Sequence, residues 1–276
     1  MSSLRIPGLG PIVGHTTDRT CRLWIRAGDP EDAGAELSSE RRTLGVVSVL
    51  EKNRKKLGES APIYYFRLHR EFDRTGTFTL GADVDMGSEA PARPGDHPFR
   101  LEPDCDYRVR IGTLTIDDPF RNDRMLTDAA LRQRLPDPTS WRSDLEKLNG
   151  RKSDAIFRTL PAAGKPADRL TFLLGSCRYP GLLWKIKHAD RIFGPMLEQA
   201  TNNRGAARPS LALMVGDQIY ADMLSRHIPI GLADTYEEFQ ERYLTAFGSH
   251  NMRQLLRRLP TYMILDDHEI DRKSVV

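Results

Sequence analysis

Leu211-Ala212-Leu213-Met214-Val215-Gly216-Asp217-Gln218-Ile219-Tyr220 runs five apolar residues into a glycine–aspartate pair and a tyrosine. An apolar run of this length reads as a strand buried on both faces of a sheet. Two further segments repeat the design. Thr171-Phe172-Leu173-Leu174 enters Gly175-Ser176-Cys177, and Tyr262-Met263-Ile264-Leu265 enters Asp266-Asp267-His268-Glu269. Each ends on a residue able to bind a metal. Ligands of open α/β sheets gather beyond the carboxyl ends of the strands. Thiolate, carboxylate and imidazole are therefore expected to converge on one site.

Helical patterns lie between these strands. Residues 188–200 carry Ile192, Phe193, Met196 and Leu197 on one stripe, although Pro195 removes a backbone donor within it. Thr235-Tyr236-Glu237-Glu238 is a capping-box pattern, with Tyr236, Phe239, Tyr243 and Leu244 forming the helical face behind it. Ser249 is placed to cap a further helix through Arg258, which Pro260 closes. Strand and helix alternating in this way predict right-handed crossovers in a mainly parallel sheet.

Upstream of Pro161 the period changes to two. Arg22–Arg26 alternates, with Leu23 and Ile25 opposite Trp24, and 44–50, 63–68, 76–80 and 107–111 are further short strand candidates. Gly, Pro and Asp clusters separate them, as in Gly28-Asp29-Pro30 and Glu102-Pro103-Asp104. This punctuation predicts an all-β sandwich. Residues 121–152 interrupt it with helix-compatible pieces at 128–135 and 140–148, an insertion beside the sandwich. Residues 155–160 read as its closing strand, and Pro161-Ala162-Ala163-Gly164-Lys165-Pro166 as a linker. Residues 1–165 and 166–276 are thus expected to be separate domains.

Composition limits the function classes. The chain has 276 residues, 39% hydrophobic and 29% charged, the profile of a globular protein. Lys plus Arg number 41 against 38 Asp plus Glu, and a net charge of +3 is too small to argue for nucleic acid or an anionic membrane. The basic cluster Glu51-Lys52-Asn53-Arg54-Lys55-Lys56 lacks aromatic interleaving and reads as a solvated hairpin tip. Three cysteines, Cys21, Cys105 and Cys177, make no disulfide framework and no metal-ligand pair spacing. No segment is long enough to span a membrane, and Met1–Pro7 lacks a secretory core. The expectation is a cytoplasmic protein, or an exported one if the true start lies upstream.

The strand ends carry chemistry. Thiolates bind soft or strongly charged metals, and carboxylates bridge ions. Asp217 and Tyr220 are three residues apart and face the same way on a turn. A phenolate suits a hard trivalent ion, so Cys177, Asp217 and Tyr220 would make an electron-rich site for iron. Asp267 could hold a second ion, with His268 beside it to protonate a leaving oxygen or stabilise a phosphoryl oxygen. Two close metals fit an in-line displacement at phosphorus. Each residue alone has a plainer explanation: a packed thiol, a turn aspartate, a core tyrosine, a solvated acidic loop. Their recurrence after three successive strands favours the site. A cysteine-dependent phosphatase would need arginine six positions after Cys177, where Leu183 stands. A nucleophile elbow lacks its second glycine, and no glycine-rich phosphate loop is present.

Gly175-Ser176-Cys177, Gly216-Asp217-Gln218-Ile219-Tyr220-Ala221-Asp222 and Asp266-Asp267-His268-Glu269 resemble the motifs of the alkaline phosphatase D (PhoD-like) family of metallophosphoesterases, in order and in crossover length. Gly10-Pro11-Ile12-Val13-Gly14 followed by Arg22–Arg26 is similar to that family's amino-terminal immunoglobulin-like domain. The resemblance implies a multidomain β plus α/β protein, an immunoglobulin-like β-sandwich followed by an incomplete α/β/β/α metallophosphoesterase domain. It implies hydrolysis of phosphomono- or phosphodiesters at an Fe(III)–Ca(II) centre, other divalent metals remaining open. Cys177, Asp217 and Tyr220 match iron ligands, Asp267 the ligand position that is Asn in the wider calcineurin-like superfamily, and His268 the catalytic histidine.

The chain also departs from the family. Asp271-Arg272-Lys273-Ser274-Val275-Val276 stands where such proteins continue into a second half with further ligands. No twin-arginine signal is seen. A fragment or frameshifted product is expected, with feeble turnover and, through an unpaired apolar edge, poor solubility. The alternative is a non-enzymatic β-sandwich binding module with a vestigial α/β segment. Substrate identity, ester preference and oligomeric state stay open.

Overall fold

Strand pairing changes character at the proline-containing stretch near residue 165, and the chain divides there into two compact units, Met1–Lys165 and Pro166–Val276. The computed structural model describes residues 4–28, 41–52, 54–58, 61–81, 99–117, 130–131, 133–162, 164–165, 169–179, 186–202, 208–222 and 233–269. The expected helix at 128–135 lies partly outside these residues, and the tail 271–276 wholly so.

The first unit contains β1 (Leu9–Thr16), β2 (Cys21–Arg26), β3 (Arg41–Val49), β4 (Ile63–Arg67), β5 (Thr75–Leu80), β6 (Asp106–Asp117) and β7 (Asp154–Arg158). They form two antiparallel sheets, ordered β1-β2-β5 and β4-β3-β6-β7. The period-two pattern explains their packing. Cys21, Leu23, Ile25, Phe78 and Leu80 of one sheet share a core with Val47, Val49, Phe66, Val109, Ile111 and Phe157 of the other. Gly45 pairs with Phe66 across β3 and β4 and is needed there, because a Cβ would meet the ring at 2.1 Å. Cys21 belongs wholly to this core, and burial pushes its thiol up to about 12. Two antiparallel sheets around one core meet the coarser part of the sandwich expectation.

The insertion has a packing reason. The four-stranded sheet is apolar on its second face also, with Val46, Ile63, Tyr65 and Leu114 buried there. Leu145 of α1 (Arg142–Lys147) joins that cluster, with Leu135, Trp141 and Leu148 packed against it. A short turn α2 (Gly150–Ser153) leads into β7. The basic cluster lies at the connection between β3 and β4, where Lys52, Arg54, Lys55 and Lys56 are exposed.

The second unit holds β8 (Phe172–Gly175), β9 (Leu211–Val215) and β10 (Thr261–Ile264) as a parallel sheet ordered β10-β9-β8. Between β8 and β9 come α3 (Ile186–Ala189), a 3-10 turn (Asp190–Ile192) and α4 (Phe193–Thr201). Pro195 is tolerated because it lies in the first turn of α4, where amide donors have no intrahelical acceptor. Between β9 and β10 come α5 (Tyr236–Gly248), with its Thr235–Glu238 capping box formed, and α6 (His250–Leu256). Ser249 stands at the N-cap of α6 but does not cap it with its side chain. Its hydroxyl donates to Asp190 Oδ1 at 2.6 Å, and Asp190 itself accepts from Asn251 N at 2.8 Å and Met252 N at 3.0 Å. A carboxylate from the preceding crossover thus replaces the local hydroxyl as the cap.

The strands are not buried on both faces. Leu173, Ala212 and Met214 are covered, and Met196 of α4 approaches Gly175 on that side. On the opposite face Leu174 is 62% and Ile264 60% exposed, with Phe172 and Val215 beside them. The apolar pattern shows what this face is suited to bury; among the described residues no layer covers it. Leu174→Lys combined with Ile264→Lys should therefore raise the soluble fraction of concentrated protein and lower binding of an apolar-surface dye. The melting temperature should hardly change, as expected of surface positions. A fall of many degrees would mean that the face is covered in solution. Among the described residues no helix is long and apolar enough to cross a membrane.

Candidate metal centre

Backbone bonds zip the strand ends together beyond the sheet. Cys177 N donates to Gly216 O at 3.3 Å, Arg178 N to Asp217 O at 3.0 Å, and Ala221 N to His268 O at 2.9 Å. Gly216 has φ +100°, and a Cβ there would lie 2.6 Å from Asp266 Cβ, so only glycine lets the second and third strand ends approach this closely. Cys177 (φ 56°) and Asp217 (φ 54°) are also left-handed. For a residue with a Cβ this costs roughly 1–2 kcal/mol, less for aspartate, and such strain clusters at functional sites.

All five residues singled out by sequence meet here. Cys177 Sγ donates to Asp217 Oδ2 at 3.2 Å and lies 3.0 Å from Ser176 Oγ. Tyr220 is buried; desolvation, then the charges of Asp217 and Cys177 and a hydrogen bond to Cys177, push its phenol up. Its ring lies against His268, centroids 4.3 Å apart. Asp267 is exposed on a 3-10 turn with His268. Ligand atoms of Asp217, Asp267 and His268 lie within 4.8 Å of one another. Asp217 is only 5% exposed, yet its Oδ1 has no hydrogen-bond partner. A buried carboxylate oxygen without a donor is costly unless a cation meets it. The donor set therefore fits a metal on two counts: this orphan oxygen, and the gathering of a thiol, a phenol and carboxylates around it.

Three neighbours had no role assigned from sequence. Asp222 accepts from His268 Nδ1 at 2.7 Å, which leaves Nε2 as the free ring nitrogen. Glu269 is buried and receives backbone donors from Asp217, Gln218, Ile219 and Asp266. Its reach back to Asp266 N is the i, i+3 contact of a capping box, and the spacing Asp266-x-x-Glu269 is the one local signal that could have found it. Arg178 is buried over the Phe193 ring at 5.1 Å and donates to Ser249 Oγ at 2.7 Å. Burial lowers its pKa to about 10, against the opposing charge of Asp190. A cavity of about 300 Å³ opens beside Cys177, walled by Arg178, His188, Phe193, Met196 and Met214.

No family model and no curated protein matches this chain. Among solved structures, one titled "Structure of PhoD" is similar with a TM-score of 0.54 at 15% identity. The match covers 97% of this chain and 40% of that one, so the chain spans well under half of that protein's length. At this identity the likeness is one of fold.

Proposed function

We propose that the chain carries the metal site of a PhoD-like phosphoesterase, acting on phosphomono- or phosphodiesters. The observation that carries the reading is the assembly of Asp217, Asp267 and His268 within 4.8 Å, with Cys177 Sγ 3.2 Å from Asp217, at the carboxyl ends of parallel strands. The fold likeness to PhoD supports it. The immunoglobulin-like assignment of the first unit, and of the second as one sheet layer of an α/β/β/α domain, belong to the same proposal.

Cys177, Asp217 and Tyr220 would hold Fe(III), and Asp217 and Asp267 a second ion such as Ca(II). When bound, the cations would supply Lewis acidity toward the phosphoryl group. Asp217 offers two carboxylate oxygens and can face both ions. Asp222 fixes the imidazole of His268 through Nδ1–H, so Nε2 is the atom that would give a proton to the leaving oxygen. The Tyr220 ring packs against that imidazole at a tilt of 33° and limits its rotation.

The deciding readout is binding. Cobalt(II) added to the apoprotein should give a thiolate charge-transfer absorbance that Cys177→Ser abolishes. Inorganic phosphate should bind the loaded protein and not the apoprotein. A folded chain that shows no such band, or the same phosphate affinity with and without metal, would sink the reading. The first result would favour the binding-module alternative.

A further inference from the structure

We infer that Glu269 is a positioning residue of the metal site: by taking four backbone N–H groups it pins Asp217 in the turn that presents its carboxylate, without being a ligand itself. The inference rests on the metal-site reading and goes one layer behind it. Oε2 accepts from Asp217 N at 3.0 Å and Asp266 N at 2.8 Å. Oε1 accepts from Gln218 N and, at 3.3 Å, from Ile219 N. Both oxygens are thus spent on the protein, which separates Glu269 from the candidate ligands around it.

Three successive amides converging on one point form an anion-binding nest. Such a nest beside a phosphoesterase site would ordinarily suggest a phosphate subsite. Here the chain fills it with its own buried carboxylate, so substrate must be met elsewhere. Charge-assisted bonds of this kind are about twice as strong as neutral ones, and they hold Gly216 and Asp217 at φ +100° and +54°. Glu269 shares the 3-10 turn of Asp267 and His268. One side chain therefore sets the spacing between the ligand after β9 and the groups after β10. The bond from Asp266 N closes the same clamp on the β10 side.

Glu269→Gln keeps the shape but turns an NH2 toward backbone donors on whichever oxygen it replaces. Glu269→Asp keeps the charge and shortens the reach, and serves if the glutamine variant fails to fold. Cobalt(II) affinity of the full chain should fall about 10–100-fold in the glutamine variant, the usual effect of losing an outer partner of a metal site, and less in the aspartate variant. A merely structural role would lower the melting temperature and leave the affinity of the folded fraction unchanged, and that result overturns the inference. Hydrogen exchange of the amides of Asp217, Gln218, Ile219 and Asp266 in metal-free protein gives a second, independent readout. They should be protected in the wild type and exchange at least tenfold faster in Glu269→Gln. Equal exchange overturns the clamp. If the wild type binds no cobalt but the exchange difference is present, the metal reading fails while the clamp stands.

Discussion

Asp217→Asn should leave the chain folded and unable to hold a metal. Asparagine tolerates the left-handed backbone of residue 217 nearly as well as aspartate does, so the substitution isolates the charge. In the metal-free protein the native carboxylate is buried with Oδ1 unpartnered, a desolvation cost of roughly 1–3 kcal/mol. The apo form of Asp217→Asn should therefore melt at the same temperature as the wild type or higher. With metal the order reverses. A ligand at about 100 times its Kd stabilises the folded state by about 2.7 kcal/mol. The wild type should gain several degrees from added cobalt(II) or calcium, and Asp217→Asn none. Its affinity should fall beyond the ~10–100-fold that outer-shell changes cost. A residue that weakens the empty fold and strengthens the loaded one is serving a ligand rather than packing. Equal metal-induced shifts in the two proteins would remove Asp217 from the site, and the bridging role with it. Melting curves with and without metal, read beside metal content after gel filtration, decide between these outcomes.

The parts of this molecule visible in the sequence are those governed by local pattern. β9 could be read from Leu211 to Val215, and the capping box of α5 from Thr235 and Glu238, because strand period and capping geometry are set within a few residues. Chemistry-bearing residues directly after apolar runs led to Cys177, Asp217 and His268 for the same reason. β1 is not legible as a strand, since Gly10, Pro11 and Gly14 break its alternation. β6 extends to Asp117 rather than stopping at Ile111, because it pairs with β3 over the whole of that strand. The cap of α6 comes from Asp190, about sixty residues upstream of the amides it receives, and no local signal points that far. The clamp by Glu269 was hidden differently. Its acceptor role depends on three amides after β9, and a glutamate in an acidic loop looks like a solvated side chain until those amides are placed. The bare face of the parallel sheet shows a general limit: apolar residues declare what a surface is suited to bury, not what covers it.

Asp154→Ala should strongly destabilise the first unit. Asp154 is fully buried at the start of β7 and faces two arginines of β6. Arg110 gives it Nε at 2.7 Å and Nη2 at 3.2 Å, and Arg108 gives Nε at 2.6 Å. Arg110 is itself only 2% exposed, and its Nη1 donates to Leu145 O at 3.2 Å and Glu146 O at 2.7 Å, carbonyls in the last turn of α1, the first of which also accepts from Leu148 N at 3.2 Å. One carboxylate thus neutralises the guanidinium that ties the insertion to the sheet. Removing it leaves a buried cation whose remaining acceptors are neutral, a loss of about 3–5 kcal/mol for a broken buried pair. At roughly 2–4 °C per kcal/mol, the transition of this unit should fall by on the order of 10 °C. Arg110→Met with Asp154→Leu removes both charges and should recover much of the loss, since apolar replacements of a buried pair are often neutral or stabilising. Calorimetry on the single and double variants separates the two terms. If the alanine variant melts within about 2 °C of the wild type, the helix carbonyls alone satisfy Arg110, and the insertion is held by the apolar contacts of Leu145, Trp141 and Leu148 rather than by the ion pair.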